Sequence, residues 1–156
     1  MPSASTHKLI CEYVQTGIRA LSLAGIASAQ VHVLWGINPD ITVFPAIFVC
    51  AAGSESVIGG TNARDDISYP VVIYDCDRKP AEDGQFMDAA LLRRSRIRKL
   101  FINQHLSAAV SGGPASVYTC RVEGSPILDV AILAAFQMLV HPLALSFISR
   151  EARGST

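Results

Sequence analysis

Net charge is the first thing this sequence lacks: thirteen basic and thirteen acidic residues among 156 cancel to a formal charge of zero. Binding nucleic acid by counterion release needs a positive field, and the chain as a whole supplies none. Paired cysteines are missing as well. Cys11, Cys50, Cys76 and Cys120 are far apart and form no C-x-x-C, so neither a zinc knuckle nor a redox dithiol is written. Each lies in an apolar or alternating segment, which predicts buried free thiols in a reducing compartment. His7, His32, His105 and His141 are isolated, without the H-x-x-x-H or H-E-x-x-H spacing that holds a metal. Gly53, Gly59 and Gly60 never take a phosphate-cradling spacing, and Ser54 and Ser56 lack the G-x-S-x-G elbow. No metal, cofactor or catalytic nucleophile is expected, and the chain reads as non-enzymatic.

Long hydrophobic runs are also scarce. Pro126 to Ile148 is almost all apolar, but Asp129, Gln137, His141 and Pro142 interrupt it. The unbroken stretch from Val130 to Phe136 falls far short of the roughly 20 residues a helix needs to cross a bilayer, so no membrane partner is expected. The first residues lack the basic-then-apolar order of a signal peptide. What the chain does have is a hydrophobic fraction of 50% against 17% charged. That suffices for one domain with a real core, residues 1–156, and leaves an apolar surplus of the kind that ends in subunit interfaces.

Ser5 or Thr6 is placed to cap a helix running to about Ala24, with Leu9, Ile10, Tyr13, Val14, Ile18, Leu21 and Leu23 as its apolar stripe. Gly17 weakens its middle and Gly25 offers a stop. Val31–Trp35 predicts a short strand and Gly36–Asp40 a turn. Thr42–Cys50 is apolar on both faces, as a strand covered on both sides is, with Pro45 at an edge or bulge. Gly53–Asp66 is a polar connection before a strand at Ile67–Asp75, which predicts a hairpin with an extended loop. Asp77–Gly84 reads as a turn. A helix follows from Gln85 to about Leu106, with Phe86, Ala89, Ala90, Ile97, Leu100 and Phe101 on one side and Arg93, Arg94, Arg96, Arg98 and Lys99 on the other. After a break at Ser111–Pro114 come a strand at Val117–Val122, a turn at Gly124–Pro126, and a segment from Val130 to His141 that fits either helix or strand. In the final strand Leu143, Leu145 and Phe147 share one face and Ala144 and Ser146 the other.

The polar clusters point to contacts rather than chemistry. Asn62, Arg64, Asp65 and Asp66 form a knot just before a strand. Adjacent residues on an extended chain point to opposite sides, so the two carboxylates do not converge on one ion, and a loop that caps the hairpin or meets a partner is expected. The basic helix side, Arg93, Arg94 and Arg98 included, suits phosphate, yet with Asp83 and Asp88 in the first turn it equally describes a solvated face. It carries no interleaved aromatics for stacking bases. Arg150, Glu151 and Arg153 close the last strand, either aimed at a neighbouring protein or as a solvated end.

Four stretches then matter together: Thr42-Val-Phe-Pro-Ala-Ile-Phe-Val49, Asn62-Ala-Arg-Asp-Asp-Ile-Ser-Tyr-Pro-Val-Val-Ile-Tyr74, Leu91-Leu-Arg-Arg-Ser-Arg-Ile-Arg-Lys-Leu-Phe101 and Leu143-Ala-Leu-Ser-Phe-Ile-Ser-Arg-Glu-Ala-Arg-Gly154. In this order, Ile41 to Gly154 resembles the tail-terminator and related head–tail joining proteins of long-tailed bacteriophages. The resemblance implies an α+β domain, a twisted and mainly antiparallel sheet flanked by an N-terminal helix and a central basic helix. It also implies a homohexameric ring that caps the tail tube protein, stops its polymerisation and docks the head-side connector, with DNA only passing through the lumen, in a virion neck made in the host cytoplasm. Candidate interface residues are Asn62, Arg64, Asp65, Asp66, Arg93, Arg94, Arg98, Arg150, Glu151 and Arg153. The head-completion or stopper ring of the same neck is the alternative. From another class comes a small cytosolic α/β binding module or enzyme with an apolar pocket and a carboxylate near Asp65 or Asp75. Zero net charge and the Val130–His141 segment depart from the family pattern and leave the lumen charge and the neck position open.

Overall fold

A first helix, α1, spans Thr6–Ala20 because Ser5 caps it, its side-chain oxygen accepting from the Lys8 backbone N–H at 3.2 Å. Ile10, Tyr13, Val14 and Ile18 repeat at three-to-four spacing and are all buried, whereas Leu9 lies off that stripe, 40% exposed. The helix stops four residues short of Ala24. Ser22 turns to φ 48° and breaks the ladder, so Gly25, at φ 79°, shapes the following turn instead of ending the helix. The computed structural model describes residues 5–34, 36–37, 40, 43–78, 85–102 and 116–153. Trp35, Thr42, His105, the rest of the Asp77–Gly84 turn beyond Arg78, the helical extension towards Leu106 and the Ser111–Pro114 break lie outside these residues, as does the Phe86 side chain.

Beyond α1 the described elements are β1 (Val31–Val33), β2 (Ala46–Ala51), β3 (Ser56–Gly60), β4 (Arg64–Arg78), α2 (Gln85–Phe101), β5 (Val117–Val122), α3 (Val130–Phe136) and β6 (Met138–Ala152). The fold is α+β. Its six-stranded sheet runs β1-β2-β4-β6-β5, with β3 also on β4, and every pairing except β1 with β2 is antiparallel. β2 lies between β1 and β4, and its first five residues are buried, which accounts for its apolar residues on both faces. Pro45 precedes the strand after a cis peptide, so it occupies neither an edge nor a bulge.

The Gly53–Asp66 stretch departs from the expected loop. At Gly53, φ 99°, an added Cβ would lie 3.1 Å from the Pro70 side chain, so the chain hugs β4 after leaving β2. It then pairs again as β3, from Ser56 opposite Ser68 to Gly60 opposite Asp65, and turns tightly where the Thr61 N–H meets the Arg64 carbonyl at 2.7 Å. The hairpin therefore closes on a short turn. Pro70 sits in β4 where β2 has ended and β3 has not begun, and its carbonyl accepts from His7 Nε2 at 2.6 Å. Pro142 in β6 lies likewise beyond the end of β5, whose last partner is Leu145.

Val130–His141 proves to be both helix and strand. Asp129 caps α3 through Ile132 N–H at 3.0 Å, and Gln137, at φ 53°, ends it and launches β6 five residues before Leu143. One sheet face packs Ile47, Val49, Val71, Ile73, Leu143, Leu145 and Phe147 against Ile10, Val14 and Ile18 of α1 and Ile97 and Phe101 of α2. The other buries Ala46, Phe48, Cys50, Cys76, Met138 and Val140, with Ile132 of α3 partly buried against them. All four cysteines are free and buried; burial pushes the Cys11 and Cys50 thiols up to about 11. Among the described residues no helix is long and apolar enough to cross a membrane.

Candidate functional site

The β3–β4 turn and the end of β6 gather most of the charged candidates at one end of the sheet. Asn62 is exposed at the turn and Arg64, also exposed, opens β4, to which Asp65 and Asp66 belong, so the expected loop is a strand. The register sets Asp66 opposite Arg150 and Asp65 opposite Glu151. Strand alternation then sends Asp65 and Asp66 to opposite faces.

Each carboxylate meets a guanidinium of its own chain. Arg150 grips Asp66 with two bonds of 2.7 and 3.0 Å and lies 5.3 Å above the Tyr118 ring. Arg153 donates to Asp65 Oδ1 at 3.1 and 2.5 Å and to the Thr61 carbonyl at 3.2 Å. These bonds hold both carboxyls below their ordinary range. Glu151 accepts from the Tyr69 hydroxyl at 2.7 Å; burial first, then this carboxylate, pushes the phenol up. Arg150, Glu151 and Arg153 thus lock the sheet end together, with Arg150 and Arg153 still 46% and 56% exposed.

Arg93, Arg94 and Arg98 on α2 do not join this cluster. Arg93 belongs to the buried stripe with Ala90 and Ile97, which corrects its expected place on the outer basic side. Its guanidinium forks onto Asp75 at 2.7 and 2.9 Å, with side chains only 8% and 4% exposed. Asp75 lies ten residues along β4 from Asp65, roughly 30 Å of strand. Desolvation outweighs Arg93 and raises the Asp75 carboxyl above its ordinary value. His141, across the ladder from Asp75, is also buried and contacts the Ile127 carbonyl through Nδ1 at 2.7 Å. Arg94 bonds the Pro142 carbonyl and, at 3.0 Å, Ser125 Oγ; Arg96 reaches the Leu21 carbonyl at 2.9 Å. Arg98 and Lys99 are exposed. The basic side of α2 is therefore divided, with part of its charge spent on pinning the helix to the sheet.

The features that sequence reasoning missed are apolar. All seven residues of α3 are apolar and none is buried: Val130 is 69% and Phe136 57% exposed, and Ile127 beside them 55%. Only the apolar run itself was visible in the sequence. On the opposite face a cleft of about 630 Å³ opens between the first turn of α1 and the ends of β1 and β2, where Cys11, Val33, Leu34 and Ala51 lie beside the charged Lys8 and Glu55. Edge strand β3 adds exposed Val57 and Ile58.

No family model matches this sequence, and no curated protein matches it. Among the described residues no three His, Cys, Asp or Glu side chains converge as metal ligands. The carboxylates named for a catalytic alternative are both engaged by arginine, Asp65 by Arg153 and Asp75 by Arg93. The arrangement leaves exposed part of an apolar helix, a cleft and a charged sheet end whose ion pairs form within the chain.

Proposed function

We propose that this chain is a structural protein of a phage neck, a tail terminator whose copies close into a hexameric ring on the end of the tail tube. The ring stops tube polymerisation, offers its other face to the head-side connector, and lets DNA pass through its lumen. The observation that carries the reading is α3, seven apolar residues of which none is buried and Val130 and Phe136 are exposed, on a folded chain of zero net charge. Apolar surface that a chain leaves exposed is surface that another protein can cover. Further support comes from the resemblance of the four segments, whose implied α+β sheet flanked by helices agrees with the architecture. The paired charges of the sheet end suit a rim: Asp66–Arg150 and Asp65–Arg153 hold their geometry within one subunit and remain partly exposed for a second. The test is electron microscopy of particles with antibody labelling of this chain, alongside particles from which it is deleted. Label at the head–tail junction, with tubes of irregular length after deletion, is the expected outcome. Label elsewhere, or normal tails without the chain, overturns the proposal.

A further inference from the structure

Burial does not fix the position of α3. None of its seven residues is buried, and Ile132 packs only in part on the Phe48 face of the sheet. The helix is held instead by the connection that carries it, residues 123–129, which runs beside β6 once the β5 ladder has ended at Val122 and Leu145. Two backbone bonds fasten its ends: the Glu123 N–H donates to the Ala144 carbonyl and the Asp129 N–H to the Val140 carbonyl, each at 2.9 Å. Between them lies Pro142 of β6, which has no N–H, so a regular ladder cannot run through. Side chains take its place. Ser125 Oγ donates to the Pro142 carbonyl at 3.2 Å and accepts from the Ala144 N–H at 3.4 Å and from Arg94 at 3.0 Å, which uses its one proton and both lone pairs. Arg94 also donates to the Pro142 carbonyl. Farther along, the Ile127 carbonyl meets His141 Nδ1 at 2.7 Å; a carbonyl only accepts, so that nitrogen carries the proton.

We infer that residues 123–129 are a strap that presents α3, and that Arg94 and Ser125 are its positioning residues. α2 packs on the Ile97–Phe101 face of the sheet and α3 on the Phe48 face, so an arginine of one helix sets the other around the sheet edge. An apolar surface oriented in this way loses less freedom when a partner covers it. Only the use of that surface by a partner rests on the neck reading.

Amide hydrogen exchange of the full chain, followed by NMR over a series of low urea concentrations, tests the strap. The amides of Glu123, Asp129, Leu133 and Gln137 are bonded within it or within α3. In wild type they are expected to open locally, at rates that urea hardly changes, while Ile47 and Val49 of β2 open only with the whole fold. Ser125→Ala and Arg94→Met should each speed the four strap amides about tenfold, the scale of a lost bond that leaves donors unpaired. Ser125→Thr keeps the hydroxyl and should stay near wild type. Because Arg94 and Ser125 share a bond, the double variant should exchange more slowly than the product of the two single effects. Thermal melts check that each variant folds, and Ser125→Ala removes a single oxygen. If the β2 amides quicken while the strap amides keep their rates, these bonds serve global stability alone and the inference is wrong. It is equally wrong if Ser125→Thr behaves like Ser125→Ala, or if the single effects multiply. Any of these results leaves the neck reading standing, whereas label away from the head–tail junction overturns that reading and leaves the strap.

Discussion

Replacing Arg93 by Met isolates the buried Asp75 carboxylate, and its cost follows from the geometry. The pair is joined by two bonds of 2.7 and 2.9 Å inside the core, its carboxylate side chain only 4% exposed. Removing one member of such a pair leaves an uncompensated buried charge, which costs about 3–5 kcal/mol. At roughly 2–4 °C per kcal/mol for a domain of this size, the melting temperature falls by about 6–20 °C. Arg93→Met combined with Asp75→Leu should regain most of the loss, because apolar residues of similar volume often replace a buried pair without net penalty. The pH dependence carries a definite sign. Asp75 is raised in the folded state from 3.8 by desolvation, so the folded protein holds its proton more tightly than the unfolded chain. The resulting penalty is absent below the unfolded value and accumulates as pH rises through the folded one. Without Arg93 the folded value climbs further, and the gap between Arg93→Met and wild type narrows as pH falls towards the ordinary carboxylate range. Calorimetry and urea titration at several pH values measure this. A single variant costing under about 1 kcal/mol, or a double variant as unstable as the single, refutes the reasoning.

Two further outcomes are specific. Reversing Arg150 and Arg153 to Glu sets like charges beside Asp66 and Asp65, so thermal stability should drop slightly, and less at high salt than at low; a salt-independent loss would contradict the ion-pair account. These pairs hold the carboxyls below their ordinary values, so in wild type their contribution is present above the ordinary carboxylate pKa and fades as pH falls through the depressed folded values. Gly60→Ala brings a Cβ within 2.7 Å of the Arg64 carbonyl and should cost about 1–3 kcal/mol, with faster amide exchange at Thr61 in the turn. Unchanged exchange would mean that the turn needs no glycine there.

Local periodicity determined much of this protein from sequence alone. A cap at Ser5 or Thr6, of which the structure uses Ser5, and the Ile10–Tyr13–Val14–Ile18 stripe are contained in one helix, and the two-sided burial of β2 follows from its unbroken apolar run. Leu143, Leu145 and Phe147 share the core face because alternation is a property of neighbouring residues. The opposite placement of Asp65 and Asp66 was legible for the same reason. β3 was not, because in Ser56-Val-Ile-Gly-Gly60 only Val57 and Ile58 favour a strand against two glycines, and the segment is a strand through pairing with β4. The place of Arg93 was hidden too: its charge predicts solvent, and only Asp75, eighteen residues earlier and across the packed layers, makes its burial affordable. The candidate site divides along the same line. Arg150 and Arg153 could be named from the sequence, but their partners, more than eighty residues away, could not. That Val130–Phe136 is apolar was written in the chain. That most of it lies exposed was decided by tertiary packing, since burial depends on which surfaces the other elements have already occupied.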